Sequence, residues 1–571
     1  MGAPGAIFNS AGQRSVHYRP GAYSRRNFVP NSGGGVASGN SLIMGPAETG
    51  KPMVLYVFGS ANDARAELTA GEGLDAVVQA FDPGNDIVPQ QVGFMRVNDG
   101  DQSSRILKNS GSNIFNVPSF SWGSQMNQIR LKFSAGTTSG THKIETEYKG
   151  TTYTKDNIQK ESLQIQYVGA GSAAVMTIDG LHLETTVTGA SGENLNLLFS
   201  SYPNIAALAA AINAVSAYAA TIITGVPTDL CSEMDAVSGQ DILTSAYTAK
   251  SDVAAILDEL NNSDYLGECT YVGTSRLVPD NDSDFVYLTG GSYGDYTTTE
   301  WSAALTAAEK ENVQLIGTPS TELAVHVLIK NHCVKMCGVE GKKERQFYVG
   351  GPWGESKSTV KANSLTLNSS FGSICTPGYV NFDDSGNRKN YAPSYFACKQ
   401  IGMLSALALN NPTTWKNMNV LEWETDYSDT DQDELIQAGV LIGAKKSTGE
   451  LITIRSVTTY QGESLQQNEA SIMRETLYQD RDLRTALENA ITGQPLTGNA
   501  ILATVDSIFY QKINAWKQQE IIVAGPDGIK LYSGYTRKIV GDAIQIEYNT
   551  WNTAPANFVF ITHNVEVLVQ S

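Results

Sequence analysis

Phe285-Val-Tyr-Leu-Thr-Gly-Gly-Ser-Tyr-Gly-Asp295, an amphipathic segment, and then Val313-Gln-Leu-Ile-Gly-Thr-Pro-Ser320 make up the stretch from which the fold is read. Phe285 to Leu288 is β-type, and Gly290-Gly291 lets the backbone reach positive φ and pack closely where that run ends. Thr299 reads as the N-cap of a helix around Trp301, Leu305 and Ala308, and Val313 to Ile316 as the next buried strand, closing at Pro319. Strand, helix and strand in that order predict a crossover, the unit of an α/β core.

Working outward, 571 residues exceed one ordinary core and predict three or four domains. Apolar residues at 41% and charged residues at 17% describe a folded, soluble chain with a polar surface. A formal charge of −18 argues against nucleic-acid binding, because an acidic body repels phosphate. No run approaches the roughly 20 apolar residues of a membrane span. Met1-Gly-Ala-Pro-Gly lacks the order of a signal peptide, so folding in a cytoplasm is expected. Six cysteines, at 231, 269, 333, 337, 375 and 398, lack CxxC spacing and read as reduced thiols, an intersubunit disulfide staying open. His332, Cys333 and Cys337 could share a helix face, but no second ligand pair accompanies them, so no metal and no cofactor is expected.

Residues 1–47 contain no Asp or Glu but carry Arg14, Arg19, Arg25 and Arg26 among Gly, Ser, Asn and Pro. Such a segment reads either as a loose terminus or as a basic arm ordering on the acidic body of a neighbouring copy, anchored by Val16, Tyr18 and Tyr23. After a strand at Ser41-Leu-Ile-Met comes Gly45-Pro-Ala-Glu-Thr-Gly-Lys51-Pro52, which meets GxxxxGK and fails at the last place. Pro52 has no hydroxyl for Mg²⁺, Glu48 would face the phosphates, and Met53 to Phe58 is strand-like where a helix is needed.

Asn62 to Phe81 reads as a helix and Val92 to Val97 as a strand. Between about Gly100 and Met234 short alternating strands (Ile129–Phe133, His142–Tyr148, Leu163–Tyr167, Val175–Ile178, Leu195–Phe199) predict an inserted antiparallel β-domain, with one Ala-rich helix at Ile205–Tyr218. The core then resumes with a helix from Glu322 to Val339, whose His326 and His332 read as packed or surface histidines. Strands at Phe347–Val349 and Gly372–Phe382 follow, then a small-residue helix, Ser394 to Leu409, with Ala397, Ala406 and Ala408.

A last domain is read from Thr425: a helix stopped by Gly439, a strand Leu451–Val457, and the longest helix, about Asn468 to Thr492. That helix has an apolar stripe of Met473, Leu477, Leu483, Leu487 and Ile491. Its other face holds Arg474, Glu475, Asp480, Arg481, Asp482, Arg484 and Glu488, expected in solvent or in intersubunit ion pairs. A helix from Ile501 to Trp516 bears Lys512 and Lys517 toward its end. Strands are read at Glu520–Val523, Ile529–Tyr532, Ile544–Tyr548 and Phe558–Val569, the last with Phe558, Phe560, Val565, Val567 and Val569 and free to augment another subunit's sheet.

Together these give an α/β and α+β multidomain chain, a discontinuous α/β core with an inserted antiparallel β-domain, a C-terminal α+β domain and extended terminal arms. The divisions are 1–30 (arm), 31–100 (core), 101–235 (insertion), 236–424 (core), 425–555 (C-terminal domain) and 556–571 (arm strand).

Several short motifs occur in one order: Arg19-Pro-Gly-Ala-Tyr23, Leu42-Ile-Met-Gly-Pro-Ala47, Leu74 to Phe81, Leu288-Thr-Gly-Gly291, and Val325-His326 ahead of a basic cluster. Arg345 before Val349-Gly350, Ala438-Gly439-Val440, Ile454 to Tyr460, and Arg474 followed by Asp482-Leu-Arg484 complete the series. In these the chain resembles the sheath proteins of contractile phage tails. The resemblance implies a non-enzymatic subunit, stacked as hexameric rings around a tail tube, whose contraction drives the tube through the host envelope. It also implies partners: copies of itself through exchanged arms, the tail tube protein, and baseplate and tail terminator proteins. The location implied is the virion tail, after assembly in the host cytoplasm, with the C-terminal domain and Lys512 and Lys517 facing the tube. A sheath from a related contractile injection or bacteriocin particle, a P-loop nucleotide-binding enzyme, and a β-rich surface adhesin or shell protein stay open as alternatives.

Overall fold

Ser41-Leu-Ile-Met-Gly45 has no charge and all five residues are buried, as a central strand covered on both faces requires. The structure is a computed structural model that describes residues 6–10, 13–17, 39–84, 87–223, 227–560 and 562–563. The chain forms two compact units: Met1–Ala47, Lys51–Asp99 and Asp295–Ser571 make one, and Glu48–Gly50 with Gly100–Gly294 the other.

The first unit is built on an eight-stranded sheet of β1 (Ser41–Gly45), β2 (Leu55–Phe58), β3 (Val92–Arg96), β4 (Leu315–Gly317), β5 (Gln346–Gly350), β6 (Gly372–Thr376), β7 (Val440–Lys445) and β8 (Leu451–Arg455). Their order is β8-β7-β6-β5-β4-β1-β3-β2. The inner pairs are parallel, and an antiparallel strand closes each edge. Alternation along the strands sorts side chains to two faces. Leu42, Ile316, Phe347, Ile374 and Val440 join one core with helices α3 (Thr298–Ala308), α4 (Leu323–Cys337), α5 (Lys357–Leu367) and α7 (Asp429–Gln437). Ile43 and Phe94 pack under α1 (Ala61–Leu68) and α2 (Glu72–Phe81), while Leu315, Tyr348, Cys375 and Leu441 pack under α6 (Pro393–Ala406). The result is a three-layer α/β/α core.

Several sequence expectations need correction. Val286–Tyr287 is a strand, but it pairs antiparallel with Arg130–Ala135 in the second unit, Val286 opposite Leu131, and both its residues are exposed. The crossover therefore does not begin there; β4 lies between β1 and β5. The N-cap of α3 is Thr297, not Thr299: its hydroxyl accepts from Thr299 N at 3.3 Å and donates to the Glu300 carboxylate at 2.5 Å. Glu300 at the third helical position decides among three consecutive threonines. The helix expected over 62–81 is two, separated at Gly71, whose φ of +113° a helix does not allow.

The insertion does not stop at 235. Val237–Asp241, Tyr247–Lys250 and Thr270–Tyr271 pair with strands of the second unit, and the helix Asp252–Asn261 sits in its core. That unit holds antiparallel sheets around two apolar cores, one built on Phe115, Leu131, Phe133 and Ile144, the other on Leu163, Ile165, Met176 and Leu208. Its Ala-rich helix ends at Asn213, because Tyr218–Ile222 pairs as a strand with Glu161–Tyr167. Nor does the sheet core end at 424, since β7 and β8 complete it. The expected strand Gly372–Phe382 is interrupted after Thr376 by Pro377 and resumes as Tyr379–Phe382 in a small three-stranded sheet.

Candidate assembly surfaces

After β8, α8 (Ala470–Ile491) and α9 (Asn499–Gln518) pack together, followed by a hairpin of β9 (Tyr532–Val540) and β10 (Ala543–Thr550). The sequence reading puts the charged face of α8 in solvent or in intersubunit ion pairs. Instead Arg474, Glu475, Arg481 and Asp482 are buried, because the helix is enclosed on nearly every side over its first half. Burial of such groups is tolerable only with partners. Arg474 donates to Leu404 O, in the last turn of α6, at 2.8 Å, where helix carbonyls lack intrahelical donors. Burial lowers its pKa to about 10.

Arg481 donates to Glu344 O at 3.0 Å, and Arg484 grips the Glu344 carboxylate in a two-point contact. Asp482 accepts from Lys512 Nζ at 2.6 Å and from Trp516 Nε1 at 3.0 Å, tying α8 to α9. Gln346 in β5 donates to Ala470 O at 3.1 Å. Next to it, fully buried Arg345 donates to Ala308 O at 3.2 Å and Glu311 O at 3.1 Å, and to His332 Nε2 at 2.9 Å. Burial and that guanidinium push His332 down to about 4, so the imidazole is neutral and accepts. His326 is also buried, with Nε2 2.8 Å from Ser320 O. Cys337 Sγ accepts from Arg345 N at 3.4 Å, and Cys333 lies in the apolar core.

The hairpin stands apart from the large sheet, with alternating half-exposed residues and, among the described residues, no strand on either outer edge. Phe509 of α9 anchors it, stacked on Tyr535 at 4.1 Å and edge-on to Tyr532 and Tyr548 at 5.1 Å. Asp506 accepts from Tyr535 Oη at 2.8 Å and pairs with Arg537 at 2.5 Å. A groove of about 510 Å³ runs between α8, the turn after it and β10, floored by Leu483, Leu487, Ile491 and Ile546 and edged by Asp480 and Asp542.

The arm residues fall at the margins. Val16 lies in the strand Gln13–His17, paired antiparallel with Ala6–Ser10, opposite Ile7; Tyr18 and Tyr23 lie outside the described residues. Phe558 and Phe560 are exposed with their rings stacked, and the Arg455 guanidinium lies 5.7 Å from the Phe558 centroid. Residues 553–560 form no strand, so Phe558–Val569 is not a strand over its described part; Val565, Val567 and Val569 lie outside it. Of the two tube-facing candidates, Lys512 is held by Asp482 with its side chain 16% exposed, whereas Lys517 is exposed on the last turn of α9.

Glu520–Val523 and Ile529–Tyr532 are likewise not strands as expected. Ile522 makes a single bridge to Asn552, and pairing starts only at Tyr532. The Gly45–Lys51 segment is followed by β2 rather than a helix, so no row of helix N-terminal amides faces it. Ala47 N and O are both held by the Asn98 side chain, at 2.9 and 3.0 Å.

A sheet of this order, with a C-terminal pair of helices and a separate hairpin, defines a sheath-type fold. The chain resembles the sheath tail protein of Listeria innocua at a TM-score of 0.54, with 12% identity over 90% of this chain and 95% of that one. For the sheath tail protein of Desulfitobacterium hafniense the values are 0.52, 13%, 93% and 96%. At such identities these likenesses speak to the fold alone. A family model described as the phage tail sheath protein central domain matches residues 294–459, from the start of α3 to just past β8. The chain is 28% identical to the tail sheath protein of Bacillus phage SP01, covering 98% of this chain and 96% of that protein. It is 22% identical to the tail sheath protein of Staphylococcus phage Twort, covering 72% and 75%. The matches to the family model and, over nearly the whole chain, to a phage tail sheath protein support a place in the contractile phage tail sheath family.

Proposed function

We propose that this chain is the structural subunit of a contractile tail, polymerising as stacked hexameric rings around a tail tube and rearranging to drive the tube through the host envelope during genome delivery. The observation that carries this reading is the two-stranded hairpin β9–β10, whose outer edges pair with no strand among the described residues, in a chain whose sequence reads as arms at both ends. Open edges are templates for strands from another chain. Arm segments around Val16 to Tyr23 and Phe558 to Val569 of neighbouring copies would extend the hairpin into a larger sheet.

The buried arginine contacts of α8 suit the same scheme. They join the C-terminal helices to the α/β core, which would let the first unit move as one body, as rigid-body transitions require. Lys517, on the exposed end of α9, is the tube contact this reading retains. Baseplate and terminator proteins would cap the two ends of the polymer, which assembles in the host cytoplasm and works in the virion tail. No catalytic step and no cofactor belong to the scheme.

Negative-stain electron microscopy of the full chain expressed alone tests it. Hollow, cross-striated tubes are expected; dispersed particles both alone and with tail tube protein added would overturn it.

A further inference from the structure

The path toward the C-terminus lies along α8, held by a specific set of groups. Val523 N donates to Trp551 O at 2.9 Å and Thr553 N to Ile521 O at 3.0 Å. Asn552 donates to Thr476 Oγ1 at 3.1 Å and accepts from Gln479 Nε2 at 2.9 Å. Asn557 donates to Glu469 Oε2 at 3.1 Å.

Two carboxyls lie in this contact. Glu475 is 1% exposed, and its Oε2 has no hydrogen-bond partner among the described residues. Glu469, fully buried, is met by Arg455 Nε at 3.3 Å as well as by Asn557. The groups facing Glu475 are Arg474 from its own helix and the Thr553 amide from the covering segment. Burial pushes Glu475 up to about 9 against both of them. Burial also raises Glu469, opposed by Arg455 and Asn557, but there a cation is in direct contact.

We propose that Trp551–Phe558 is a releasable strap over α8 whose seating is linked to a proton on Glu475: the closed strap holds a neutral acid, and lifting it hydrates and ionises the carboxyl. The O–H bond of Glu475 breaks on opening and the proton passes to water; nothing is oxidised or reduced. This goes beyond ring assembly and does not depend on it.

An uncovered glutamate titrates at about 4.3. Between that value and about 9 the closed state carries the extra proton, so closure is strongest at low pH and weakens as pH rises. The opening constant should grow roughly tenfold per pH unit.

Hydrogen exchange at the Val523 and Thr553 amides of the full chain, corrected for intrinsic rates, reads that constant directly. From pH 6.5 to 8.5 about a hundredfold rise is expected in the wild type and none in Glu475→Gln, whose amide side chain cannot ionise. A flat wild-type profile, or an equal rise in the variant, would overturn the proposal. Should the variant not fold, infrared spectroscopy of the wild type at pH 7 decides: absence of a protonated-carboxyl band rejects it.

Discussion

At Asp482 one carboxylate serves two helices, receiving a lysine ammonium and an indole N–H where water is excluded. The worth of such a residue lies less in the pair than in what its loss leaves behind. Asp482→Ala strands Lys512 without its counter-charge beside buried Trp516, and about 3–5 kcal/mol of stability should be lost. Urea unfolding followed by the fluorescence of the C-terminal helices measures this, and Asp482→Ala/Lys512→Met should recover much of the loss. A variant within about 0.5 kcal/mol of wild type would mean that the pair is effectively solvated. Arg345, Arg474 and Arg481 follow related logic, each donating to a carbonyl of another segment.

Among elements, α2 and α6 approach most closely at Gly402, where an added Cβ would collide with the Ala80 carbonyl. The sequence pointed to Ala397, Ala406 and Ala408 as the small residues of that helix; Ala397 is buried, but the helix ends at Ala406, and Ala406 and Ala408 are exposed. Gly402→Ala must push backbone against backbone, and overpacking of this kind typically costs about 1–3 kcal/mol. A lowered thermal midpoint is expected, while Ala406→Gly, at the frayed helix end, should cost under about 1 kcal/mol. Equal effects at both positions would refute the packing argument.

For the whole molecule, the last strand or helix among the described residues is β10, ending at Thr550. Phe558 and Phe560 are exposed, and the described residues after Thr550 form no strand. Removing Phe558–Ser571 is therefore expected to leave the thermal transition of the α/β core within a few degrees of wild type while abolishing tubes in electron micrographs; tubes from the truncated chain would refute the role given to the arm. What the sequence by itself determined is substantial: the buried strands at 41–45, 92–96, 315–317 and 346–350, the long helix and its apolar stripe, an inserted β-unit, and the resemblance to sheath proteins. Those signals are local, since apolar runs, period-two alternation and ordered short motifs are carried by neighbouring residues. Only the tertiary structure decided that Val286–Tyr287 belongs to the inserted unit, that β7 and β8 complete the large sheet, and that the charges of α8 lie inside. Strand partnership and the burial of a charged side chain depend on groups remote in the chain: Lys512 reaches Asp482 across 30 positions and Arg481 reaches Glu344 across 137. Periodicity along a helix cannot reveal that its polar face also has a cover, which is why a face read as solvated or intersubunit holds the C-terminal helices to the core.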